Sequence, residues 1–342
     1  MQPLRIGFVG LGGICRQRHL PGLQRLPGIE IRAVANRTRE SGERAASEFG
    51  IPIVFDSWKE LVSSTEVDVV FIGTWPYLHK DISIAALKAG KHVFCQARMA
   101  MDQSEAEEMF RAASESNRVA GLCPVPIGLS IDATIRRLLQ TDWLGGVRLV
   151  QVQSHSSAFA DPNTPMNWRK DHRFSGLNMH TLGMYIEVMH RWFGWTHSVS
   201  ATTDIYVEAR NDATGVETKV QIPDQILCNA RMNAGFPVQY AFSTVSLFES
   251  DVVWIHGANG TLKYEVGADR LLGGIAGQPL SEIAIDDSDR YDVANWAVER
   301  DFINAIREGT EYHPDFSDGL KYMQVVQAVY DSAAEGRAIT LA

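Results

Sequence analysis

The sequence has few of the features that mark secreted, membrane-spanning or nucleic-acid-binding proteins. It contains only four cysteines in 342 residues, with no C-x-x-C pair and no Cys/His ligand spacing. We therefore expect reduced, mostly buried thiols instead of a disulfide framework or a structural zinc site. No apolar run approaches the roughly 20 residues of a membrane span, and no apolar signal segment precedes the first predicted strand. Acidic residues outnumber basic ones by 41 to 32, which argues against nucleic-acid binding. We expect a soluble, cytoplasmic protein without nucleic-acid or membrane partners.

The composition is that of a chain with a large core. Apolar residues make up 45% of it and charged residues 21%, and its length at about 150 residues per domain predicts two domains. Strand and helix signals alternate through roughly the first 120 residues, which predicts βαβ units and a parallel sheet. In the second half strand signals follow one another closely, which is typical of an α+β domain with a mostly antiparallel sheet. Pro124 and Pro126 mark the predicted boundary.

A glycine-rich turn follows the first predicted strand and opens a helix. Gly10 permits a tight turn, and Gly12 allows backbone N–H groups to approach a pyrophosphate. The helix that opens here, after Gly13 and Ile14, contributes a favourable partial charge for that anion. Cys15 stands at the third glycine position of the G-x-G-x-x-G pattern. Because the turn opens a βαβ series, it predicts dinucleotide binding.

The loop after the second predicted strand bears on the choice of cofactor. An aspartate or glutamate there would accept hydrogen bonds from the ribose hydroxyls of NAD, but this chain has Asn36-Arg37-Thr38-Arg39. The Arg37 guanidinium can pair with a 2′-phosphate, which a carboxylate would repel. A solvated basic loop is the alternative interpretation. The pattern favours NADP as the cofactor, with NAD as the second choice.

The order of motifs resembles that of the glucose–fructose oxidoreductase / inositol dehydrogenase family nearly end to end. The resemblance rests on Gly10-Leu11-Gly12-Gly13-Ile14, His19-Leu20-Pro21-Gly22-Leu23, Thr74-Trp75-Pro76-Tyr77-Leu78-His79, Asn167-Trp168-Arg169 and Asp301-Phe302-Ile303. It implies an α/β protein with a Rossmann domain over residues 1–123, followed over residues 124–342 by an α+β domain with an open, mostly antiparallel sheet. That second domain would bind substrate and assemble the chain into a homodimer or homotetramer. The implied reaction is hydride transfer between NAD(P) and a ring alcohol or ketone of a sugar, inositol or similar polyol.

The same resemblance assigns further residues to the cofactor cleft, and it exposes one departure. The added cofactor-binding residues are Thr74, Trp75, Pro76, His79, Gln96 and Arg98. After the fifth strand the family normally has Glu-Lys-Pro, whose lysine assists proton transfer, but this chain has Gln96-Ala97-Arg98. Alanine has no proton to move. A guanidinium is a poor acid–base catalyst, although it can orient an oxyanion.

The family usually places Asp-x-x-x-His on a helix of the second domain, and the alignment here has two solutions. One puts Thr181 and Tyr185 in those places, and the other puts His180 at the first of them. His180 could accept the proton of a hydroxyl that loses hydride, and Tyr185 could donate to the same oxygen. A structural, hydrogen-bonded imidazole is the alternative for His180. A helix over about residues 177–193 would bring Asn178, Thr181 and Tyr185 to one face.

Two more residues are candidates for substrate binding. A sugar face can stack on the Trp168 indole, and the Arg169 guanidinium can donate to pairs of hydroxyls; a packing wedge between domains is the alternative. The histidines lack ligand spacing around a carboxylate pair, so no metal site is predicted. The leading hypothesis is an NAD(P)-dependent dehydrogenase or reductase acting on CH–OH groups. A lyase or glycosidase that uses tightly bound NAD and a redox-silent nucleotide-binding protein are the alternatives.

Overall fold

The computed structural model describes residues 2–177, 179, 181–212, 214–285 and 297–341. Its strands, in chain order, are β1 (Leu4–Val9), β2 (Ile29–Ala35), β3 (Ile53–Val54), β4 (Val69–Ile72), β5 (His92–Cys95), β6 (Ala120–Leu122), β7 (Val147–His155), β8 (Thr196–Asp204), β9 (Ala209–Asn211), β10 (Glu217–Lys219), β11 (Gln225–Met232), β12 (Pro237–Ser243), β13 (Ser250–Gly257), β14 (Gly260–Glu265), β15 (Arg270–Ile275), β16 (Ser281–Glu282) and β17 (Ile339–Thr340). Its α-helices are α1 (Leu20–Gln24), α2 (Arg39–Phe49), α3 (Trp58–Ser63), α4 (His79–Lys88), α5 (Gln103–Ser114), α6 (Asp132–Gln140), α7 (His172–Ser175), α8 (Leu182–Phe193), α9 (Val298–Glu308) and α10 (Phe316–Glu335). Short 3-10 turns cover Pro76–Leu78, Leu129–Ile131 and Val266–Ala268, and a π-helical turn covers Cys15–His19.

The chain divides into two compact units. The first unit comprises Met1–Pro124 and Val293–Leu320, and the second comprises Val125–Asp292 and Lys321–Ala342. The sequence-based division at residues 123 and 124 differs from these units in one segment, because Val293–Leu320 groups with the first unit. Aromatic packing explains this, since the Phe302 ring lies 5.1 Å from that of Phe94, which belongs to β5.

The first unit contains the predicted parallel sheet. Its six strands lie in the order β3-β2-β1-β4-β5-β6, and each neighbouring pair is parallel. Every residue of β4, Val-Val-Phe-Ile, is buried. A sheet covered on both faces requires such continuous apolar strands. The predicted α/β architecture of this half is confirmed.

The second unit contains the predicted open, mostly antiparallel sheet. Its order is β16-β15-β14-β13-β7-β12-β11-β8-β17, and among these described strands only the β7–β12 pair is parallel. Burial alternates along β11, where Ile226 and Cys228 are buried and Leu227 and Asn229 are exposed. This period of two is what a sheet packed on one face produces.

One helix start differs from the sequence-based expectation. The helix expected from about residue 177 begins at Leu182. The preceding turn, α7, is closed by Gly176 with φ of 65°, a conformation that glycine adopts without strain. Tyr185 therefore lies in α8 and Thr181 is its N-cap residue, while Asn178 and His180, which the predicted helix also included, lie outside the described residues.

Helix α5 begins at Gln103, and its N-cap is an aspartate. The Asp102 side chain accepts a hydrogen bond from the Glu105 backbone N–H. Aspartate is a strong N-cap residue.

All four cysteines are buried, and no disulfide bond joins any two of them. Within the described ranges, we find no helix that is both long and apolar enough to cross a lipid bilayer.

Acid is expected to destabilise the protein through the buried imidazole of His190. This side chain is 8% exposed, and its Nε2 lies 3.0 Å from the Thr196 hydroxyl. Burial, and then the nearby Lys321, lower its pKa to about 3, whereas an unfolded histidine titrates at about 6.5. Between those values the unfolded chain binds a proton that the folded chain does not, so the free energy of unfolding falls as the pH falls. From pH 7 to pH 5 this residue should contribute a loss of about 2 kcal/mol.

Urea unfolding at both pH values measures this loss. The His190→Gln variant should lose less free energy of unfolding between pH 7 and pH 5 than the wild type. A matched His197→Gln variant, at an exposed histidine, should behave as the wild type does. Equal pH dependence in the wild type and His190→Gln would contradict the expectation.

Candidate functional site

A cavity of about 360 Å³ lies in the first unit, where β1, β2 and β4 end. Its lining residues are Val9, Gly10, Leu11, Gly12, Ala35, Asn36, Arg37, Ser41, Trp58, Gly73, Thr74, Trp75, Tyr77 and Leu78. Six predicted cofactor-binding residues are among them: Gly10, Gly12, Asn36, Arg37, Thr74 and Trp75. The other six, Gly13, Ile14, Pro76, His79, Gln96 and Arg98, do not line this cavity. In an open parallel sheet, ligands bind outside the carboxyl ends of the strands.

The glycine turn leaves room for a ligand against the backbone. Gly10 has φ of 80°, and a Cβ on it would lie 2.9 Å from the Thr74 backbone nitrogen, so only glycine fits there. A Cβ on Gly12 would meet nothing closer than 3.9 Å, and one on Gly13 would meet nothing within 4 Å. This exposed glycine pair at the start of a helical segment fits a bound pyrophosphate.

Cys15 replaces the third glycine without opening a gap. The thiol is buried, and the facing residue at the end of β4 is Gly73. A Cβ on Gly73 would lie 2.3 Å from the Cys15 sulphur and 2.5 Å from the Gly10 carbonyl oxygen. Close packing between the helix and the sheet therefore depends on Gly73, after β4, and not on a third glycine in the turn.

The two arginines after β2 have different surroundings. Arg39 donates to Glu43 at 2.9 Å and to Asp56 at 2.6 Å. The Arg37 side chain is exposed at the cavity and makes no hydrogen bond or ion pair with any described residue. Asn36 is held by the backbone, because its Oδ1 accepts from the Leu11 N–H at 2.8 Å and its Nδ2 donates to the Ser41 carbonyl at 3.1 Å. Of the three side chains, Arg37 is the one available to a ligand anion.

His79 connects the loops after β4 and β5 and does not face the cavity. It is 1% exposed; its Nδ1 lies 2.9 Å from the Arg98 carbonyl oxygen and its Nε2 lies 3.0 Å from that of Thr74. Burial lowers the pKa of His79, so the neutral form is favoured. Its contacts hold the Thr74 loop in place.

Two aromatic residues that line the cavity were not among the predicted cofactor-binding residues. Trp58 begins α3, and Tyr77 lies in the 3-10 turn that follows β4. Trp58 belongs to no motif. It follows β3 in the chain, and the pairing of β3 with β2 brings it to the cavity. Tyr77 lies within the Thr74–His79 segment that carries the family resemblance, but the resemblance assigned cofactor binding to other residues of that segment.

A second, more polar cavity of about 670 Å³ lies in the second unit. It forms where the parallel strands β7 and β12 end and the adjacent strand β13 begins. Its lining residues are Ser154, His155, Ser156, Ala158, Phe159, Thr164, Asn167, Arg169, Thr181, Ser243, Thr244, Glu249, Ser250, Asp251 and Gly267. Of the predicted substrate and catalytic residues, Arg169 and Thr181 line it, and Trp168 and Tyr185 do not.

Arg169 presents a charge that has no acidic partner in the described part of the chain. Its guanidinium carbon lies 4.5 Å from the centre of the Trp168 ring, so one face of the indole is covered. Its Nε is buried without a hydrogen-bond partner among the described residues, and burial lowers its pKa. A guanidinium in this position can donate to the hydroxyls of a ligand.

Tyr185 lies beneath this cavity. The side chain is 0% exposed and stacks on Phe242 at a ring distance of 5.7 Å. Its hydroxyl lies beside Asp251 and Ser154, two cavity residues, but meets neither in hydrogen-bonding geometry. Burial, and then the Asp251 carboxylate, raise the pKa of Tyr185, so the hydroxyl stays protonated at neutral pH and is available as a hydrogen-bond donor.

His155, Glu249 and Asp251 were missed by sequence reasoning. Together with Arg169 they are the ionisable side chains among the described lining residues. The ends of two neighbouring strands bring His155 and Asp251 together, since Asp251 pairs with Ser154 in the β13–β7 register. That pairing has no local sequence signal.

One group of described side chains has metal-ligand spacing: His313, Asp315 and Asp318. The carboxylate oxygens of the two aspartates already accept hydrogen bonds from backbone N–H groups at the start of α10. Asp315 accepts from the Ser317 N–H at 2.7 Å, and Asp318 accepts from the Asp315 N–H at 2.8 Å. Helix capping accounts for this cluster.

Comparison with known proteins identifies the family. Residues 4–122 match the model of an oxidoreductase family with an NAD-binding Rossmann fold, and residues 136–341 match the C-terminal alpha/beta domain of the same family. The chain belongs to the glucose–fructose oxidoreductase / inositol dehydrogenase family. The predicted family, Rossmann fold and oxidoreductase class are thereby confirmed.

Relatives within this family cover the chain almost completely. The levoglucosan dehydrogenase of Pseudarthrobacter phenanthrenivorans is 23% identical over 98% of this chain and 97% of its own length. The 1,5-anhydro-D-fructose reductase of Ensifer adhaerens is 24% identical with the same coverage. Among solved structures, levoglucosan dehydrogenase in complex with NADH matches with a TM-score of 0.89 and 20% identity over 100% of both chains. At that identity the structural match concerns the fold alone.

Proposed function

We propose that this oxidoreductase prefers NADP and transfers a hydride between nicotinamide and a ring alcohol or ketone of a sugar-like polyol. The two relatives, a levoglucosan dehydrogenase and a 1,5-anhydro-D-fructose reductase, support the sugar-like substrate. The observation that carries the cofactor preference is the unpaired Arg37 guanidinium at the cavity that the glycine turn borders.

In this proposal, each part of the first-unit cavity has a role toward the dinucleotide. The glycine turn, with Gly13 and Ile14 at the helix start, receives the pyrophosphate. Arg37 pairs with the 2′-phosphate, and Trp58 offers an aromatic face to the adenine. When bound, the cofactor supplies the hydride acceptor or donor. The roles of Asn36, Thr74, Trp75, Pro76, His79, Gln96 and Arg98 remain predictions.

The second-unit cavity is proposed to bind the substrate, with Arg169 and Thr181 donating to its hydroxyls. Oxidation of CH–OH to C=O releases a hydride to NADP⁺ and a proton to a base on the protein. His155, Glu249 and Asp251 are the described cavity residues that can accept this proton. Tyr185 is proposed as the protonated donor near the reacting oxygen, and Thr181 and His180 keep their predicted catalytic roles. Together they would replace the lysine that is absent at Ala97.

Calorimetric titration with NADPH and NADH tests the cofactor preference. We expect the wild type to bind NADPH at least about tenfold more tightly than NADH, because a hydrogen bond to a charged group contributes about 1.5–3 kcal/mol. The Arg37→Ser variant should lose about 10- to 100-fold in NADPH affinity and keep its NADH affinity. Arg39→Ser is the matched control, and it should change neither. Equal affinities in the wild type, or an equal effect of the two substitutions, would refute the NADP assignment.

A redox-silent nucleotide-binding protein is the second candidate, favoured by Ala97 at the position of the family lysine. Stoichiometric nicotinamide reduction with any member of a polyol panel would exclude it. Product formation without net nicotinamide consumption would instead indicate the lyase or glycosidase alternative. We also propose, from the resemblance alone, a homodimer or homotetramer, and from the composition a cytoplasmic location; sedimentation analysis tests the assembly.

A further inference from the structure

Three polar side chains form a buried chain in the first unit: Glu299, His19 and Gln96. The Nδ1 of His19 contacts the Oε1 of Glu299, and its Nε2 contacts the amide nitrogen of Gln96. His19 and Glu299 are each 1% exposed, and Gln96 is half-buried directly after β5. The rings of Phe94 and Phe71 enclose His19 at 5.2 and 6.0 Å. The proposed function uses Gln96 but does not account for the other two.

The direction of each hydrogen bond follows from the orientation of the Gln96 amide, whose nitrogen faces His19. A carboxylate oxygen can only accept, so the Nδ1 of His19 carries a proton and donates it to Glu299. An amide nitrogen can only donate, so Gln96 donates to the lone pair on Nε2. His19 is therefore the neutral Nδ1–H tautomer. Because its nitrogen faces His19, the Gln96 amide has its carbonyl oxygen left to accept a hydrogen bond from a ligand.

The motif around His19 explains how Glu299 approaches it, although the two lie 280 residues apart. Glu299 belongs to α9, and Gly22 lies in α1 beside it. A Cβ on Gly22 would lie 2.3 Å from the Glu299 carboxylate. The absence of a side chain at Gly22 is what admits the carboxylate, so this His-x-x-Gly segment serves the buried chain.

The strand order places Gln96 relative to the proposed cofactor, and this step rests on the proposed function. Arg37 follows β2, the glycine turn follows β1, and Gln96 follows β5, in the hydrogen-bonded order β2-β1-β4-β5. Neighbouring strands lie about 4.8 Å apart, so Gln96 ends a strand about 10 Å beyond the glycine turn, on the side away from Arg37. If the 2′-phosphate binds at Arg37 and the pyrophosphate at the turn, the nicotinamide end extends toward β4 and β5.

We propose that Glu299 and His19 are positioning residues that fix the Gln96 amide so that its carbonyl oxygen accepts a hydrogen bond from the nicotinamide carboxamide. The carboxamide is the neutral N–H donor at that end of the cofactor. An amide that could rotate freely would present its nitrogen as often as its oxygen.

Nitrogen NMR of histidine-labelled protein without cofactor tests the buried chain directly. The His19 signal, identified by its absence from His19→Gln, should show a protonated Nδ1 and an unprotonated Nε2. In Gln96→Glu a carboxylate oxygen replaces the amide nitrogen, so His19 should become doubly protonated. An Nε2–H tautomer, or an imidazolium already present in the wild type, would overturn the proposal, because neither can accept from the amide nitrogen.

Binding of cofactor analogues tests the proposed hydrogen bond between Gln96 and the nicotinamide carboxamide. Gln96→Met should weaken NADPH binding by about 5- to 10-fold, the scale of one hydrogen bond. It should not change binding of the 3-acetylpyridine analogue of NADPH, which lacks the carboxamide N–H, or of 2′,5′-ADP, which lacks the nicotinamide half. Gln96→Glu keeps an acceptor oxygen and should retain most of the NADPH affinity. His19→Gln should lose NADPH affinity in the same selective way as Gln96→Met.

These arms separate failure of the inference from failure of the proposed function. If the wild type binds NADPH but Gln96→Met weakens NADPH and its acetylpyridine analogue equally, the hydrogen bond to the carboxamide is excluded while the cofactor site stands. If the wild type binds neither nucleotide, the proposed function fails, and the NMR result still decides the state of the buried chain. Gln96 is half-buried, so its variants test the proposal even if His19→Gln does not fold.

Discussion

Tyr185→Phe is expected to lower turnover by about 10²-fold or more without loss of stability. The hydroxyl is buried beside Asp251, a residue of the second-unit cavity, and the raised pKa of Tyr185 keeps it protonated as a donor. A positioned hydrogen-bond donor to the charge that develops on the reacting oxygen contributes about 10²- to 10³-fold to catalysis. Since the hydroxyl has no hydrogen-bond partner among the described residues, its removal leaves no new unsatisfied group. Steady-state kinetics and urea unfolding of the same preparation measure both effects.

Tyr240→Phe is the matched control. Tyr240 is also buried with an unpartnered hydroxyl, and its ring lies 5.7 Å from the same Phe242. The ionisable group near its hydroxyl is Cys228, which does not line the cavity, whereas the Tyr185 hydroxyl lies beside the cavity residue Asp251. We expect this variant to match Tyr185→Phe in stability and the wild type in turnover. Equal turnover in all three proteins would mean that Tyr185 is a core residue and has no part in catalysis.

Gly73→Ala is expected to abolish measurable NADPH binding and to lower the free energy of unfolding by about 2–4 kcal/mol. The new methyl group would overlap both the Cys15 sulphur and the Gly10 carbonyl oxygen. The buried thiol cannot move outward without displacing the helix that follows the glycine turn. Calorimetric titration and urea unfolding measure the two losses.

Two further variants show whether the overlap is the cause. Gly146→Ala places a methyl where nothing lies within 4 Å, so it should change neither property. Adding Cys15→Ala to Gly73→Ala removes the contact with sulphur but not the one with the Gly10 backbone, so it should restore part of the stability. A Gly73→Ala protein that binds NADPH as the wild type does would show that the turn tolerates the movement, and the packing argument would fail.

Local patterns were sufficient where the structure depends on neighbours in sequence. Alternating strand and helix signals predicted the parallel sheet, in which every residue of β4 is buried, and Gly10 after β1 predicted the tight turn, where the structure shows a positive φ. Alternating burial along β11 likewise matches an antiparallel sheet packed on one face. In each case the period of the side chains along the backbone carries the information. The order of several motifs along the chain predicted the family, which no single motif would identify.

Helix starts and the candidate site were less predictable. The sequence run around Thr181 is compatible with a helix, but Gly176 closes α7 and α8 begins at Leu182. Arg37 and Arg39 look equivalent in sequence, and only the fold shows that acidic side chains occupy Arg39. Neither helix propensity nor a charge pattern in the sequence shows which residues a side chain contacts in the folded protein.

By itself the sequence determined the two sheet types, the glycine turn and the family, because each depends on residue types at short and regular spacing. Tertiary structure alone decided that Val293–Leu320 joins the first unit, that His155 and Asp251 border one cavity, and that Glu299 meets His19. These contacts join residues from separate strands and helices. Strand register and helix packing bring them together, and neither is encoded by residues near in sequence.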